Sequence, residues 1–279
     1  MARIRVVSDS GSDLPDEIAK GLGIEVVPLT IRFGEVEYVD RVDLSPSQFW
    51  AKCKESKVLP ETAAPSPGAF QTAYESALAD GYDGVLVVTI SAALSATNQS
   101  ATLAAEAVAD RIEVRVVDTK AVSMALGLLA MDVAELAQTG ATLDELEQRA
   151  LALVDRVGVC GTLDTLEHLV KGGRVGGARA LLGQVLAIKP LLALKDGVVA
   201  EAGRQRTRAK ALAAVAAVAR KNAPLARIAI THGDASDVGD LVKLVADIPS
   251  ERPLIVADVG SVVGTHGGPR IAAVCWIKG

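Results

Sequence analysis

Short apolar runs bounded by turn residues recur along the first half of the chain, at Ile4–Ser8, Val26–Arg32, Val85–Thr89 and Val114–Asp118. Their length and their wealth of Val and Ile predict buried strands. Between them lie stretches whose apolar residues recur at helical spacing: Asp16–Leu22, Pro67–Asp80, Ala96–Asp110 and Ala121–Gln138. A helix over Leu143–Asp155 closes this half, with Thr142 in place to cap it. Apolar strands alternating with helices imply βαβ units and a parallel sheet.

The second half is patterned differently. Val157–Gly161 is strand-like and is followed by the glycine-rich stretch Lys171-Gly172-Gly173-Arg174-Val175-Gly176-Gly177. A helix is predicted over Ala178–Ile188, with Pro190 as its stop. Leu191–Leu194 and Val198–Arg204 flank Lys195-Asp196-Gly197, a strong hairpin signal. Helices over Arg208–Lys221 and Ser236–Asp247 and strands over Arg227–Thr231, Leu254–Asp258 and Ile271–Trp276 complete the pattern. The predicted architecture is α/β in two domains. Residues 1–157 form a Rossmann-like unit on a parallel sheet, and residues 158–279 form a unit on a mixed sheet. A crevice between or within such units is a usual place for a ligand.

Composition narrows the function. Half of the 279 residues are apolar but only 3% are aromatic, so the core is built from Ala, Val, Leu and Ile. The net charge of −5 gives no reason to expect nucleic acid. Cys53, Cys160 and Cys275 have neither metal-site spacing nor disulfide density and are expected to be reduced. The N-terminal residues lack an apolar signal core. The longest nearly apolar run, Ala121–Met131, is shorter than the roughly 20 residues of a membrane helix. The expectation is a cytoplasmic monomer that neither inserts in membranes nor carries a cofactor.

The familiar phosphate-loop, dinucleotide, nucleophile-elbow and HExxH signatures are absent, and the three histidines are scattered, so no metal is expected. Four turns rich in small polar residues remain. Ser8-Asp9-Ser10-Gly11-Ser12-Asp13 follows the first strand, where ligands of open α/β sheets sit. In Thr62-Ala63-Ala64-Pro65-Ser66-Pro67, Ser66 and Pro67 begin a helix, leaving Thr62 free for a ligand. Ser95, in the turn after Val85–Thr89, reads as the N-cap of the next helix, a natural seat for a carboxylate or phosphate. His266 stands among glycines in Gly264-Thr265-His266-Gly267-Gly268-Pro269 and can donate a hydrogen bond to an anion. His232 is ambiguous and His168 reads as structural. Lys171, Arg174 and the run Arg204-Gln205-Arg206-Thr207-Arg208 make the second half locally basic.

Taken together, these segments resemble the DegV family, which includes the fatty acid-binding proteins of bacterial fatty acid kinase, called FakB. Ser8-Asp9-Ser10…Asp13-Leu14-Pro15 is similar to the family's opening motif, and Thr62…Ser66-Pro67-Gly68-Ala69-Phe70 to its T-S-x-P-S-P-G-x-F. Ser91-Ala92-Ala93-Leu94-Ser95-Ala96-Thr97-Asn98-Gln99-Ser100-Ala101 resembles S-S-x-L-S-G-T-Y-Q-S-A. Leu169–Arg174 and Gly264–Pro269 match later motifs. The resemblance implies a buried long-chain fatty acid such as palmitate, its carboxylate held by Thr62, Ser95 and His266, with Ser91, Thr265 and Gly267 close by. It implies no catalysis by the chain itself, which would deliver the lipid to an ATP-dependent, dihydroxyacetone-kinase-like fatty acid kinase in phospholipid metabolism. Arg174, Arg204 and Arg206 would then dock that partner.

The chain departs from the family pattern at Ala96 and Asn98, where glycine and tyrosine are usual, at Arg270, where glycine is common, and at Ala63, a common serine. Two other readings stand beside the carrier. One is an acyl hydrolase with Ser95, His266 and an acid such as Asp9. The other is a binding module for another anionic lipid or a phosphorylated metabolite.

Overall fold

The computed structural model describes residues 2–181 and 188–279. Strand β1 (Ile4–Asp9) runs into a single 3-10 turn, Ser10–Ser12, and then helix α1 (Asp16–Leu22). The predicted strand Val26–Arg32 is two strands, β2 (Ile24–Val27) and β3 (Thr30–Phe33). Pro28 divides them, because it cannot donate to a ladder. Beyond it the chain leaves the parallel sheet and builds a small antiparallel one from β3, β4 (Val36–Val39) and, later, β5 (Glu61–Ala63). Between these lies α2 (Pro46–Glu55), opened by a capping box of Ser45 and Gln48. None of β4, α2 or β5 was legible in the apolar pattern.

Helix α3 (Pro67–Ala79) starts as read, with Ser66 accepting from the Ala69 N–H and proline in the first turn. Strand β6 (Gly84–Thr89) is buried throughout. Helix α4 (Thr97–Ala107) has Ala96 at its cap and no side-chain capping bond, so Ser95 is not its N-cap. Strand β7 (Glu113–Asp118), helix α5 (Met124–Gln138) and helix α6 (Leu143–Val154), capped by Thr142 with Glu145, complete the first half. The parallel sheet has the order β2-β1-β6-β7.

The remaining elements surround a six-stranded mixed sheet of order β10-β9-β8-β13-β11-β12. They are β8 (Val157–Thr162), α7 (Glu167–Lys171), β9 (Lys189–Lys195), β10 (Val198–Gln205), α8 (Arg208–Arg220), β11 (Leu225–His232), α9 (Val238–Val245), β12 (Ile255–Asp258), α10 (Ser261–Gly267) and β13 (Ala272–Lys278). The hairpin at Asp196-Gly197 forms as expected; φ of 51° and 79° at its two corner residues gives the turn that matches strand twist. The predicted helix Ala178–Ile188 is a 3-10 segment over Gly176–Leu181, and its remainder lies outside the described residues. Pro190 is not a helix stop. It sits in β9 one residue before the pairing with β8 begins, so its missing N–H costs that ladder nothing.

The two larger sheets share one core. Helix α5 packs against β1 on one side and against β8, β11 and β13 on the other. Ten of its residues are buried, which accounts for the apolar run in the sequence: a helix apolar all round belongs inside. No helix among the described residues is long and apolar enough to cross a membrane. All three cysteines are free, and Cys160 and Cys275 are buried.

Candidate functional site

Beside α5, a cavity of about 210 Å³ opens between the sheets. Leu29, Ile90 and Val122 wall it from the first half, and Val159, Gly161, Leu192, Leu194 and Ala273 from the six-stranded sheet. Val262, Val263, Gly267 and Ile271, on and after α10, close another side. Almost all of this surface is aliphatic, as an alkyl chain requires.

Polar groups converge at one region. Thr62, on the last strand of the small sheet, and His266, on α10, lie 204 residues apart in sequence, and Thr62 Oγ1 stands 2.9 Å from His266 Nε2. Ser95 and Arg174 line the same cavity. Ser95 Oγ is 2.8 Å from Thr97 Oγ1 and accepts weakly from the Thr97 N–H at 3.3 Å. Arg174 donates from Nε to the Leu94 carbonyl at 2.9 Å and from Nη1 to the Gly172 carbonyl at 2.6 Å. That leaves part of its five-donor fork for another acceptor.

Burial, reinforced by the charges of Arg174 and His168, lowers the His266 pKa to about 4. The ring is therefore neutral at pH 7, and its Nδ1 is buried without a hydrogen-bond partner. A neutral ring donating from Nε2 to Thr62 Oγ1 frees the Thr62 hydroxyl hydrogen for an incoming oxyanion. The imidazole fits because residue 172 is glycine: a Cβ there would collide with Nδ1. His168 holds α10 from behind, its Nδ1 3.1 Å from the Thr265 carbonyl, the structural role read from sequence.

The other singled-out residues lie elsewhere. Ser91 does not line the cavity; its hydroxyl donates to the Gly197 carbonyl at 2.8 Å and ties the β9–β10 hairpin down. Thr265 Oγ1 donates within its own helix to the Ser261 carbonyl. Gly267 does line the cavity. His232 faces Asp258 at 3.6 Å, apart from the site. Arg204, paired with Glu201, and Arg206 are on the exposed part of β10 and after it. Arg174, expected to dock a partner, lines the cavity and also the open depression beside it; its charge and the motif Leu169–Arg174 were its signals in the sequence.

The hydrolase constellation is not assembled. Asp9 is fully buried and spends one carboxylate oxygen on the Gly11 N–H and the other on the Ile90 N–H. Ser95 bonds to Thr97, and His266 bonds to Thr62 rather than to Ser95.

The departures from the family pattern are also resolved. Ala96 has φ −72° and ψ 4°, which any residue adopts, and its methyl joins the cavity wall. Asn98 donates to Thr89 Oγ1 at 3.0 Å. Arg270 has φ 60°, which is why glycine suits the position, and it offsets that strain with ion pairs to Asp164 at 3.2 Å and Asp237 at 3.1 Å.

The fold matches solved structures over its whole length. A DegV family protein of Thermus thermophilus, described for its fatty acid binding, is 35% identical with a TM-score of 0.90, covering 99% of both chains. DegV of Bacillus subtilis, described as a fatty acid binding protein, is 29% identical with a TM-score of 0.88 and full coverage of both chains. Among curated relatives, a DegV domain-containing protein of Deinococcus radiodurans is 38% identical over 276 residues, 97% of each chain. A family profile described as "Uncharacterised protein, DegV family" matches residues 3–279. Motifs, topology and cavity thus agree along one continuous match, and the chain belongs to the DegV family.

Proposed function

We propose that this chain binds one long-chain fatty acid, its tail in the aliphatic cavity between the units 1–157 and 158–279 and its carboxylate at Thr62, Ser95 and His266. The observation that carries this reading is the Thr62–His266 bond set into a mostly aliphatic wall. Burying each CH₂ contributes about 0.8 kcal/mol, so a long tail supplies most of the affinity. The carboxylate is costly to bury unpaired. The Thr62 and Ser95 hydroxyls and the nearby Arg174 satisfy it, with the neutral His266 ring orienting Thr62, and leave it releasable. The fatty acid binding of the Thermus and Bacillus relatives supports the same ligand class.

On this reading the chain is a carrier and not an enzyme, and it works in the cytoplasm as a monomer. It presents the carboxylate to a dihydroxyacetone-kinase-like fatty acid kinase, which transfers the γ-phosphoryl of ATP to a carboxylate oxygen and releases ADP. Support comes from a second, open depression of about 300 Å³ that shares Leu94, Ser95, Ala96 and Arg174 with the cavity and brings the carboxylate seat to the surface. Arg204 and Arg206 are proposed to meet the kinase.

The test is denaturing extraction of the purified protein followed by mass spectrometry. A stoichiometric long-chain fatty acid is the expected result. Protein that is empty and also refuses added palmitate and oleate would sink the reading.

A further inference from the structure

The cavity wall is not apolar throughout. Leu192, Gly161, Ala273 and Thr231 lie side by side across β9, β8, β13 and β11, and all four line the cavity. Three inter-strand steps of about 4.8 Å put Thr231 roughly 14 Å along this floor from Leu192. Leu192 packs with Leu169 and Val175, next to Arg174, so Thr231 lies roughly three strand steps from the carboxylate end, level with the middle of a long acyl chain.

There Thr231 is only 1% exposed, and its Oγ1 has no partner beyond the thiol of Cys275, a weak one. The wall holds a second buried hydroxyl, Ser123, whose hydrogen is committed to Asp13 at 2.5 Å. Ser123 has φ 57° and ψ −151°, a conformation that favours glycine, so the side chain is kept there at a cost in backbone strain. Thr231 can donate and accept; Ser123 retains lone pairs to accept. A hydroxyl that can donate and accept suits an alcohol, whereas a plain alkyl chain leaves the Thr231 hydroxyl buried against methylenes without a strong partner.

Resting on the fatty acid reading above, we propose that the ligand is a long-chain fatty acid with a mid-chain hydroxyl, and that Thr231 selects it. The experiment is a titration of delipidated protein with stearate and with hydroxystearates substituted beside the carboxylate, at mid-chain and at the methyl end. The mid-chain isomer is expected to bind about five- to tenfold tighter than stearate, the effect of one net hydrogen bond. Thr231→Val, which keeps the shape and removes the hydroxyl, should tighten stearate and bring the ratio near one. A mid-chain isomer that binds no tighter than stearate, or a preference that survives Thr231→Val, overturns the inference. The preference is read on the unmodified protein, so it does not depend on the variant folding. Stearate binding without preference removes the hydroxyl inference alone; no binding by any of these acids removes the fatty acid reading with it.

Discussion

Two polar clusters of this molecule, one fully buried at Asp9 and Asp13 and one half-buried at Thr62 and His266, are built in opposite ways. Around Asp9 and Asp13, every carboxylate oxygen is used. Asp9 accepts from Gly11 and Ile90, and Asp13 accepts from Ser123 at 2.5 Å and from the Gly260 N–H at 2.9 Å. Around His266, the ring bonds only to Thr62, and a ring that donates there leaves the Thr62 hydroxyl hydrogen without an acceptor. A closed cluster holds elements together; an open one is unfinished until something arrives. Asp13 ties the turn after β1 to the starts of α5 and α10, so the closed cluster sets where the open one stands.

The largest effect that would break this contrast is expected at Asp13. Asp13→Ala strands the Ser123 hydroxyl and the Gly260 N–H in the interior, which should cost about 3 kcal/mol and lower the thermal midpoint by several degrees. Calorimetry checks this, and an unchanged midpoint would show the cluster is not what joins these elements. His266→Ala should do the reverse. Fatty acid affinity falls about ten- to a hundredfold, as expected when Thr62 loses the partner that turns its hydroxyl toward the carboxylate and one hydrogen bond to a charged group is lost, while the midpoint moves little. Full affinity in a folded His266→Ala protein would take the histidine out of the site.

The smallest effect is a pH slope. Burial raises the Asp13 pKa from an unfolded value near 4 to about 7, against the opposing pull of Ser123, Gly260 and Arg41 and with a small push from Asp40. The native state then holds a proton that the unfolded chain has already lost. Stability from this group is present at low pH and disappears as pH rises through about 7. His266, depressed to about 4, acts in the opposite sense and only below about pH 6.5, where the unfolded ring protonates first. From about pH 6.5 the midpoint should therefore fall because of Asp13 and level off once pH passes about 7, and Asp13→Asn should flatten that fall. A slope that persists in Asp13→Asn would assign it to another group.

The same contrast explains how much was legible in the sequence. Strand β6 is a continuous apolar run between turn residues, and β1 and β7 keep a core of valine and isoleucine around one arginine each, the pattern that burial in a parallel sheet favours. Strands β4 and β5 have three or four residues, mostly exposed, so they carry no periodic signal. Helix α10 hid behind its glycines. Gly264 is there because a Cβ would come within 2.6 Å of the Phe49 ring, a tertiary reason that propensity cannot register. Thr62 and His266 stood out because no local structure needed them. Ser91 and Thr265 looked the same locally, but Ser91 bonds to the distant Gly197 and Thr265 to Ser261 in a helix that the glycines concealed. Arg174 was noticed for its charge, but the sequence does not show that its loop also faces the cavity.

Helix α5 bears on how the chain is made in the cell. Its apolar circumference is covered on one side by β1 and on the other by β8, β11 and β13, which leave the ribosome later. Until they do, a nascent chain ending near residue 157 carries a helix with one face open to water. Such an intermediate is a target for chaperones and proteases. Synthesis of the second half is therefore what protects the first, and truncations that stop before β13 should be cleared rather than accumulate as a stable half.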